Sequence, residues 1–267
     1  MATAVITGAS SGIGMELAKC LCRQKKADVF YIVARRTERL LSLKEELLSE
    51  GAKQVEIVPA DLLTAEGLSA VSNAVKTAAG SIRWFVSAAG FGVFGDYRQV
   101  EERTVTNMID LNVKATVVLT QRFLPLMEKG GHVILLGSAS CFTALPGFNI
   151  YASTKAFVLH YAKALRFEAR AAGVYVTCLC PGWVETEFLG KAENTEDGVR
   201  TPKKYTPLLS APAVAEKCVR NASKGKFYCV TNGFTKFQHL LSKLLPSAIL
   251  SRLWLRMLKK PTGKQAD

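Results

Sequence analysis

A short apolar run from Thr3 to Thr7 breaks into Gly8-Ala9-Ser10-Ser11-Gly12-Ile13-Gly14 and then into an amphipathic stretch, and nothing else in the chain limits its fold as tightly. A strand feeding a glycine-rich turn feeding a helix is the first half of a βαβ unit. Gly8 allows the tight turn, Gly12 leaves room for a pyrophosphate to approach the backbone, and Gly14 lets the helix pack close on the strand. The free N–H groups and positive dipole end of that helix face whatever anion the turn admits. Glycines also mark ordinary turns. Here they lie between a strand and a helix, about twenty residues ahead of a second strand, which is the context a dinucleotide turn requires.

The alternation continues along the chain. Apolar runs at Val29 to Ala34, Val55 to Pro59, Trp84 to Ala88, His132 to Ser138, Val174 to Leu179 and Phe227 to Val230 predict further strands. Most are near-continuously apolar, as strands buried on both faces of a parallel sheet are. Helical periodicity at 12–26, 37–50, 64–79, 99–129, 150–172 and 211–223 separates them. Strict β-α alternation implies right-handed crossovers and a doubly wound α/β fold with a mostly parallel, seven-stranded sheet. The segment 190–210 lacks periodicity and contains Pro202 and Pro207, so a mobile substrate loop is expected. With 267 residues, 49% of them apolar, and no break in composition, one domain is expected: core 1–190, loop 190–210 and helical extension 232–260.

The seven cysteines include only two close sets, Cys20-Leu21-Cys22 and Cys178-Leu179-Cys180, neither with metal-ligand spacing. No metal is expected. An odd count without a secretion signal reads as free thiols in a reducing compartment, and the chain as cytoplasmic. Strand-like residues from Thr3 onward leave no room for a signal peptide, and no apolar stretch approaches the ~20 residues of a spanning helix.

Tyr151 and Lys155 stand four apart at the start of a helical run, on one face. A phenol titrates near ~10, too high for acid–base work at neutral pH. An ammonium about 4 Å away contributes roughly 4 kcal/mol at an effective dielectric of 20, so a net downward shift is expected even though burial opposes it. Ser138 closes the preceding strand, thirteen residues upstream of Tyr151, and Ser140 is a nearby alternative hydroxyl. The second strand runs into Arg35-Arg36-Thr37. An acid there would bond a ribose 2′-OH and repel a 2′-phosphate, whereas two guanidiniums and a hydroxyl suit the phosphate. NADP(H) is the cofactor expected; the bland reading of Arg36 is solvation, or pairing along the next helix with Glu38 or a neighbour.

The turn Thr7-Gly8-Ala9-Ser10-Ser11-Gly12-Ile13-Gly14, with three residues between its first two glycines, resembles that of the short-chain dehydrogenase/reductase family. The resemblance covers residues 3 to about 190 and implies roles position by position. Arg35 occupies the place where the family's NAD users carry an acid, which favours it over Arg36 for the phosphate. Asp61 and Leu62 match the adenine-contacting pair. Ser87-Ala88-Ala89-Gly90 stands where the family has Asn-Asn-Ala-Gly, putting Ala89 and Gly90 beside the cofactor with weakened bracing of the loop. Asn112 would support a proton-relay water, Ser138 polarise the carbonyl, Tyr151 exchange its proton, and Lys155 tune Tyr151 and anchor the ribose. The run from Cys180 through Pro181, Gly182, Trp183, Val184 and Glu185 to Thr186 resembles the family's PG-motif, with Val184 and Thr186 holding the nicotinamide carboxamide. The implied fold is of Rossmann type, and the implied activity interconverts a ketone and a secondary alcohol. The implied assembly is a homodimer or homotetramer paired through the helices at 99–129 and 150–172.

Phe91, Val93, Phe94, Phe142, Leu145, Phe148, Trp183 and Phe188 predict an apolar cleft wall and a lipophilic substrate: a steroid, a 3-oxoacyl group or another long-chain carbonyl. Carrier-linked 3-oxoacyl reduction, generalist carbonyl reduction and an NADP(H)-sensing binding protein are the alternatives. Charge adds a separate clue. Residues 1–199 carry 21 Lys/Arg against 20 Asp/Glu, and residues 200–267 carry 14 against 2. Within that basic quarter, Leu240, Leu241, Leu244, Leu245, Ile249, Leu250, Leu253, Trp254, Met257 and Leu258 recur at helical spacing around Pro246, with Ser251, Arg252, Arg256, Lys259 and Lys260 on the other side. A lid or dimer-packing helix, an anionic membrane surface and an anionic acyl carrier all fit such a pair. No nucleic-acid-reading motif is present.

Overall fold

The computed structural model describes residues 1–76, 82–193 and 198–259. Strands β1 (Thr3–Thr7), β2 (Val29–Ala34), β3 (Gln54–Pro59), β4 (Ile82–Ser87), β5 (Met127–Leu136) and β6 (Tyr175–Cys180) alternate with helices α1 (Gly12–Arg23), α2 (Thr37–Ser49), α3 (Ala65–Lys76), α4 (Glu102–Ile109), α5 (Thr116–Phe123) and α6 (Asn149–Ala171). Then follow β7 (Trp183–Glu185), α7 (Glu187–Ala192), β8 (Leu208–Ser210), α8 (Ala211–Ala222), β9 (Tyr228–Val230), α9 (Gly233–Leu244) and α10 (Ser247–Met257). Seven strands form one parallel sheet in the order β3-β2-β1-β4-β5-β6-β9, and β7 pairs with β8 apart from it. This is the doubly wound sheet predicted. The order reverses between β1 and β4, and a crevice opens there at the carboxyl ends of the strands.

Period-two alternation divides the core into two layers. Ala4, Ile6, Phe30, Ile32, Trp84 and Ile134 face the layer of α1, α2 and α8. Val5, Tyr31, Val33, Phe85, Val133 and Leu135 face α3, α5 and α6. A third cluster, with Phe94, Met108, Phe148, Tyr151, Trp254 and Leu258, joins the start of α6 to α10. Among the described residues no helix is long and apolar enough to cross a membrane.

Three segments depart from expectation. Residues 127–129 belong to β5, because Pro125 confines the chain to a single 3-10 turn at Leu124–Leu126 and ends the helix. The long helix from 102 to 123 is interrupted by a π turn at Asp110–Ala115. The described parts of 190–210 are built rather than loose: α7 reaches Ala192, Pro202 bridges to Leu258, and Leu208–Ser210 pairs with β7. Residues 77–79 of the third predicted helix, 194–197 of the predicted loop and Lys260 lie outside the described residues.

His132 on β5 gives the sheet a pH dependence. It is buried, stacked on Trp84 at 4.3 Å and Tyr175 at 5.4 Å, and its Nδ1 has no partner. Burial first, then Arg83 and Lys26, push its pKa down to about 4. An unfolded chain takes up that proton near ~6.5. Between those two values the unfolded state gains a proton the native state refuses, so stability falls as pH drops, by about 3 kcal/mol in all. Thermal unfolding should show Tm declining from neutral pH towards pH 4. His132→Phe, which keeps the stack, should flatten that decline; an unchanged slope would remove His132 as its source.

Candidate active site

The crevice at the reversal of strand order is a cleft of about 540 Å³. Its floor begins at the end of β1, where Gly8 (φ +69°) turns the chain and Gly14, in the first turn of α1, packs against it. A Cβ on Gly14 would lie 2.4 Å from the Gly8 carbonyl oxygen, and one on Gly8 would lie 2.7 Å from the Ala89 nitrogen. Neither contact can be relieved without moving backbone, so these two glycines are required by the fold of the turn itself. Ser10, Ser11, Gly12 and Ile13 complete the turn, and all of them line the cleft. So do Arg35, Arg36, Asp61, Leu62, Ala89, Gly90, Pro181, Gly182, Val184 and Thr186.

Thr7 was not singled out in the sequence, yet it ties the turn to the neighbouring loop. Its hydroxyl donates to the Val86 carbonyl at 3.4 Å and accepts from Ala88 and Ala89 N–H at 3.1 and 3.3 Å. Ser87 shares a hydrogen bond of 3.0 Å with Thr116 on α5. The Thr7 and Ser87 hydroxyls thus brace the loop that was expected to be weakened by the lack of asparagines at Ser87 and Ala88. Arg36 also differs from its bland reading. It does not pair with Glu38: its guanidinium donates to the Ser10 hydroxyl and carbonyl at 3.2–3.3 Å and to Glu187 on α7 at 2.8 Å. Arg35, beside it, is exposed at the cleft edge.

Tyr151 and Lys155 project from the first turns of α6, and both are buried. Lys155 Nζ donates to the Leu136 carbonyl at 2.8 Å and sits 5.7 Å from the centre of the Tyr151 ring. Ser138 follows β5, accepts the Ser140 N–H at 3.1 Å and lies within reach of the Tyr151 phenol. Ser140 lines the same wall with its hydroxyl buried and unpartnered. Asn112 is placed by the π turn, the kind of helix irregularity that often marks functional sites. Its amide accepts from Phe91 N–H at 3.0 Å and donates to the Phe91 carbonyl at 2.9 Å and to Thr154 at 3.0 Å. The loop after β4 is thereby pinned to α6. Gly90 fits against this junction only because it has no Cβ, which would lie 2.7 Å from Asn112 Oδ1.

One electrostatic expectation is reversed. Burial raises the Tyr151 phenol well above its ordinary value, and the Ser138 hydroxyl offsets only part of that. The ammonium does not win: it lies over the ring, 5.7 Å from its centre, and is bonded to a carbonyl, while burial pulls its own pKa down to about 8. At neutral pH the phenol therefore stays protonated, beside an amine whose own pKa is lowered by burial.

The substrate wall is also partly redrawn. Phe91, Leu145, Phe148, Trp183 and Phe188 line the cleft, but Val93, Phe94 and Phe142 do not. Phe94 is fully buried and stacks behind Phe148 at 4.1 Å, and Phe142 stacks on His239 at 4.0 Å. Their places are taken by Phe234, Phe237 and Leu241 of α9 and by Leu250, Leu253, Trp254 and Met257 of α10.

Comparison with known proteins agrees with this architecture. The chain is 33% identical over 217 residues to a sulfoacetaldehyde reductase of Chromohalobacter salexigens, covering 79% of this chain and 84% of the relative. It is 30% identical over 234 residues to an 11-beta-hydroxysteroid dehydrogenase of Pinus massoniana, covering 84% of this chain and 65% of the relative. A short-chain dehydrogenase from Sphingobium yanoikuyae, solved in complex with NADPH, superposes with a TM-score of 0.77 at 25% identity, covering 100% of this chain and 98% of that one. A family model described as short chain dehydrogenase matches residues 2–197. With its glycine turn, parallel sheet and Tyr151–Lys155 pair in one cleft, the chain belongs to the short-chain dehydrogenase family of oxidoreductases.

Proposed function

We propose that this oxidoreductase uses NADP(H) to interconvert a ketone and a secondary alcohol on a lipophilic substrate. One observation carries the reading: Ser138, Tyr151 and Lys155 meet in the middle of a cleft with the glycine turn and two arginines at one end and apolar side chains at the other. The cradle fits the cofactor. The α1 N-terminus offers N–H groups to a pyrophosphate, and Arg35 and Arg36 offer charge to a 2′-phosphate. Asp61 and Leu62 would flank the adenine, and Val184 and Thr186 would hold the carboxamide. The NADPH complex of the Sphingobium relative supports the choice.

When bound in this cradle, the nicotinamide would supply the hydride that reduces the carbonyl carbon. Ser138 donates a hydrogen bond to the oxygen on which negative charge develops. Tyr151, kept protonated by burial, gives that oxygen its proton. Lys155 holds its ammonium beside the ring for the ribose hydroxyls and proton return, and Asn112 keeps loop and helix in register. The apolar end selects a bulky, lipophilic ketone, a reading supported by the hydroxysteroid dehydrogenase relative. Phe157 and Phe167 stand exposed on α6, which favours a homodimer formed through that helix.

The test is NADPH consumption, followed by absorbance, against steroid, long-chain 3-oxoacyl and small polar ketones. Turnover confined to the lipophilic classes is the expected result. Tight NADPH binding with no turnover on any carbonyl would convert the protein from an enzyme into a cofactor-sensing binder. Turnover of small polar ketones alone would remove the lipophilic assignment and leave the reductase.

A further inference from the structure

We propose that α9 and α10 form a rim that docks on an anionic lipid bilayer, with the mouth of the cleft opening into the membrane interface. The two helices flank that mouth. Phe234 and Phe237 of α9 and Leu253 and Met257 of α10 line the cleft, yet they are 50%, 56%, 44% and 44% exposed. Leu240, Leu244 and Ile249 carry the apolar surface outward at 53%, 68% and 42% exposure. Scattered apolar side chains on a surface mean nothing, but here four exposed ones line a single opening and three more extend from the same two helices.

The rim is more than a lid packed on the body, because the lid contacts are already satisfied by other side chains. Leu250 is buried, and Trp254 and Leu258 belong to the third core cluster. Trp254 Nε1 donates to the Pro146 carbonyl at 2.9 Å, and Ser251 Oγ to the Ala144 carbonyl at 2.9 Å. On α9, Thr235 is buried and His239 stacks on Phe142 at 4.0 Å and lies 5.2 Å from the Tyr228 ring. The helices are fixed by one side, and the apolar side that remains faces outward.

Charge selects the occupant. From Lys217 to Lys259 the chain has nine Lys/Arg and no Asp or Glu. Lys236, Lys243, Arg252 and Arg256 stand exposed on the two helices, and none makes an ion pair among the described residues. A second copy meeting this face by two-fold symmetry would set cation against cation. An apolar band edged with unpaired cations is complementary to acyl chains beneath acidic headgroups. Since no described helix can span a membrane, the rim lies on the surface. That this route delivers a lipophilic ketone to Tyr151 rests on the function proposed above; the docking itself rests on the rim alone.

The test is flotation of the full chain with vesicles of phosphatidylcholine alone and of phosphatidylcholine with phosphatidylglycerol. Binding to the anionic vesicles should exceed binding to the neutral ones by at least about tenfold and weaken with added salt. Leu240→Ser with Leu244→Ser, and separately Lys236→Glu with Lys243→Glu, should each abolish it. None of these four side chains lines the cleft, so turnover of a lipophilic ketone supplied in solution without vesicles should be unchanged while turnover of the same ketone dissolved in vesicles drops. No binding to anionic vesicles overturns the proposal, even if lipophilic ketones are reduced in solution. Binding without turnover of any ketone upholds the docking and removes the function. An oligomer that Leu244→Ser breaks apart, with no vesicle binding, would assign the rim to a second copy.

Discussion

Tyr151→Phe should lower ketone turnover by about a thousandfold, within the range expected when a positioned general acid is removed. The ring packs against Phe148 at 4.5 Å and Phe188 at 5.3 Å, contacts that phenylalanine keeps. The change therefore removes one hydroxyl and little else. Without it, an alkoxide forming near Ser138 has a hydrogen-bond donor but no acid of suitable reach, because Lys155 is directed to the Leu136 carbonyl. Affinity for NADPH should stay within about threefold, since turn, arginines and PG loop are untouched. Steady-state rates and a fluorescence titration of NADPH separate the two quantities. Turnover within tenfold of the parent would overturn the assignment of Tyr151 as proton donor. A parallel loss of NADPH affinity would instead mean that the phenol's main task is to hold the cofactor.

Spacing along the chain revealed much of this site, and the reason is local. The strand, turn and helix from Thr3 to Arg23 are dictated by residues within a single βαβ half-unit, and Tyr151 and Lys155 share one helix face. What spacing could not reveal depends on residues far apart. Thr7 meets the loop after β4 across some eighty positions of chain, and Arg36 meets Glu187 across 151. The π turn at Asp110–Ala115 has no periodic signature of its own; the bonds of Asn112 to Phe91 and Thr154 accompany the irregularity. Phe94 and Phe142 have the composition of a substrate wall but stack away from the cleft, while α9 and α10 supply the wall from the far end of the sequence. The direction of the Tyr151 shift was misread for a related reason. A pair of residues gives a charge, but only the packed structure gives the distance and the desolvation that oppose it.

The same reasoning makes the two arginines separable. Replacing Arg35 and Arg36 together with alanine should lower the preference for NADPH over NADH by about a hundredfold to a thousandfold. Each charge-assisted hydrogen bond to the 2′-phosphate is worth roughly 1.5–3 kcal/mol, and NADH has no group to use either. The single variants should differ in kind. Arg35 is exposed at the cleft edge, so Arg35→Ala should weaken NADPH and spare NADH. Arg36 also holds the Ser10 hydroxyl and carbonyl of the phosphate turn, and it pairs with Glu187 on α7. Arg36→Ala should therefore weaken both cofactors, NADPH more, because the turn that receives the pyrophosphate loses a brace along with the phosphate's partner. Dissociation constants for both cofactors with all three variants decide the matter. Identical losses for NADPH and NADH in the double variant would show that neither arginine reads the 2′-phosphate. An Arg36→Ala effect confined to NADPH would show that the Ser10 contact contributes nothing to the turn, and that the guanidinium is free to serve the phosphate alone.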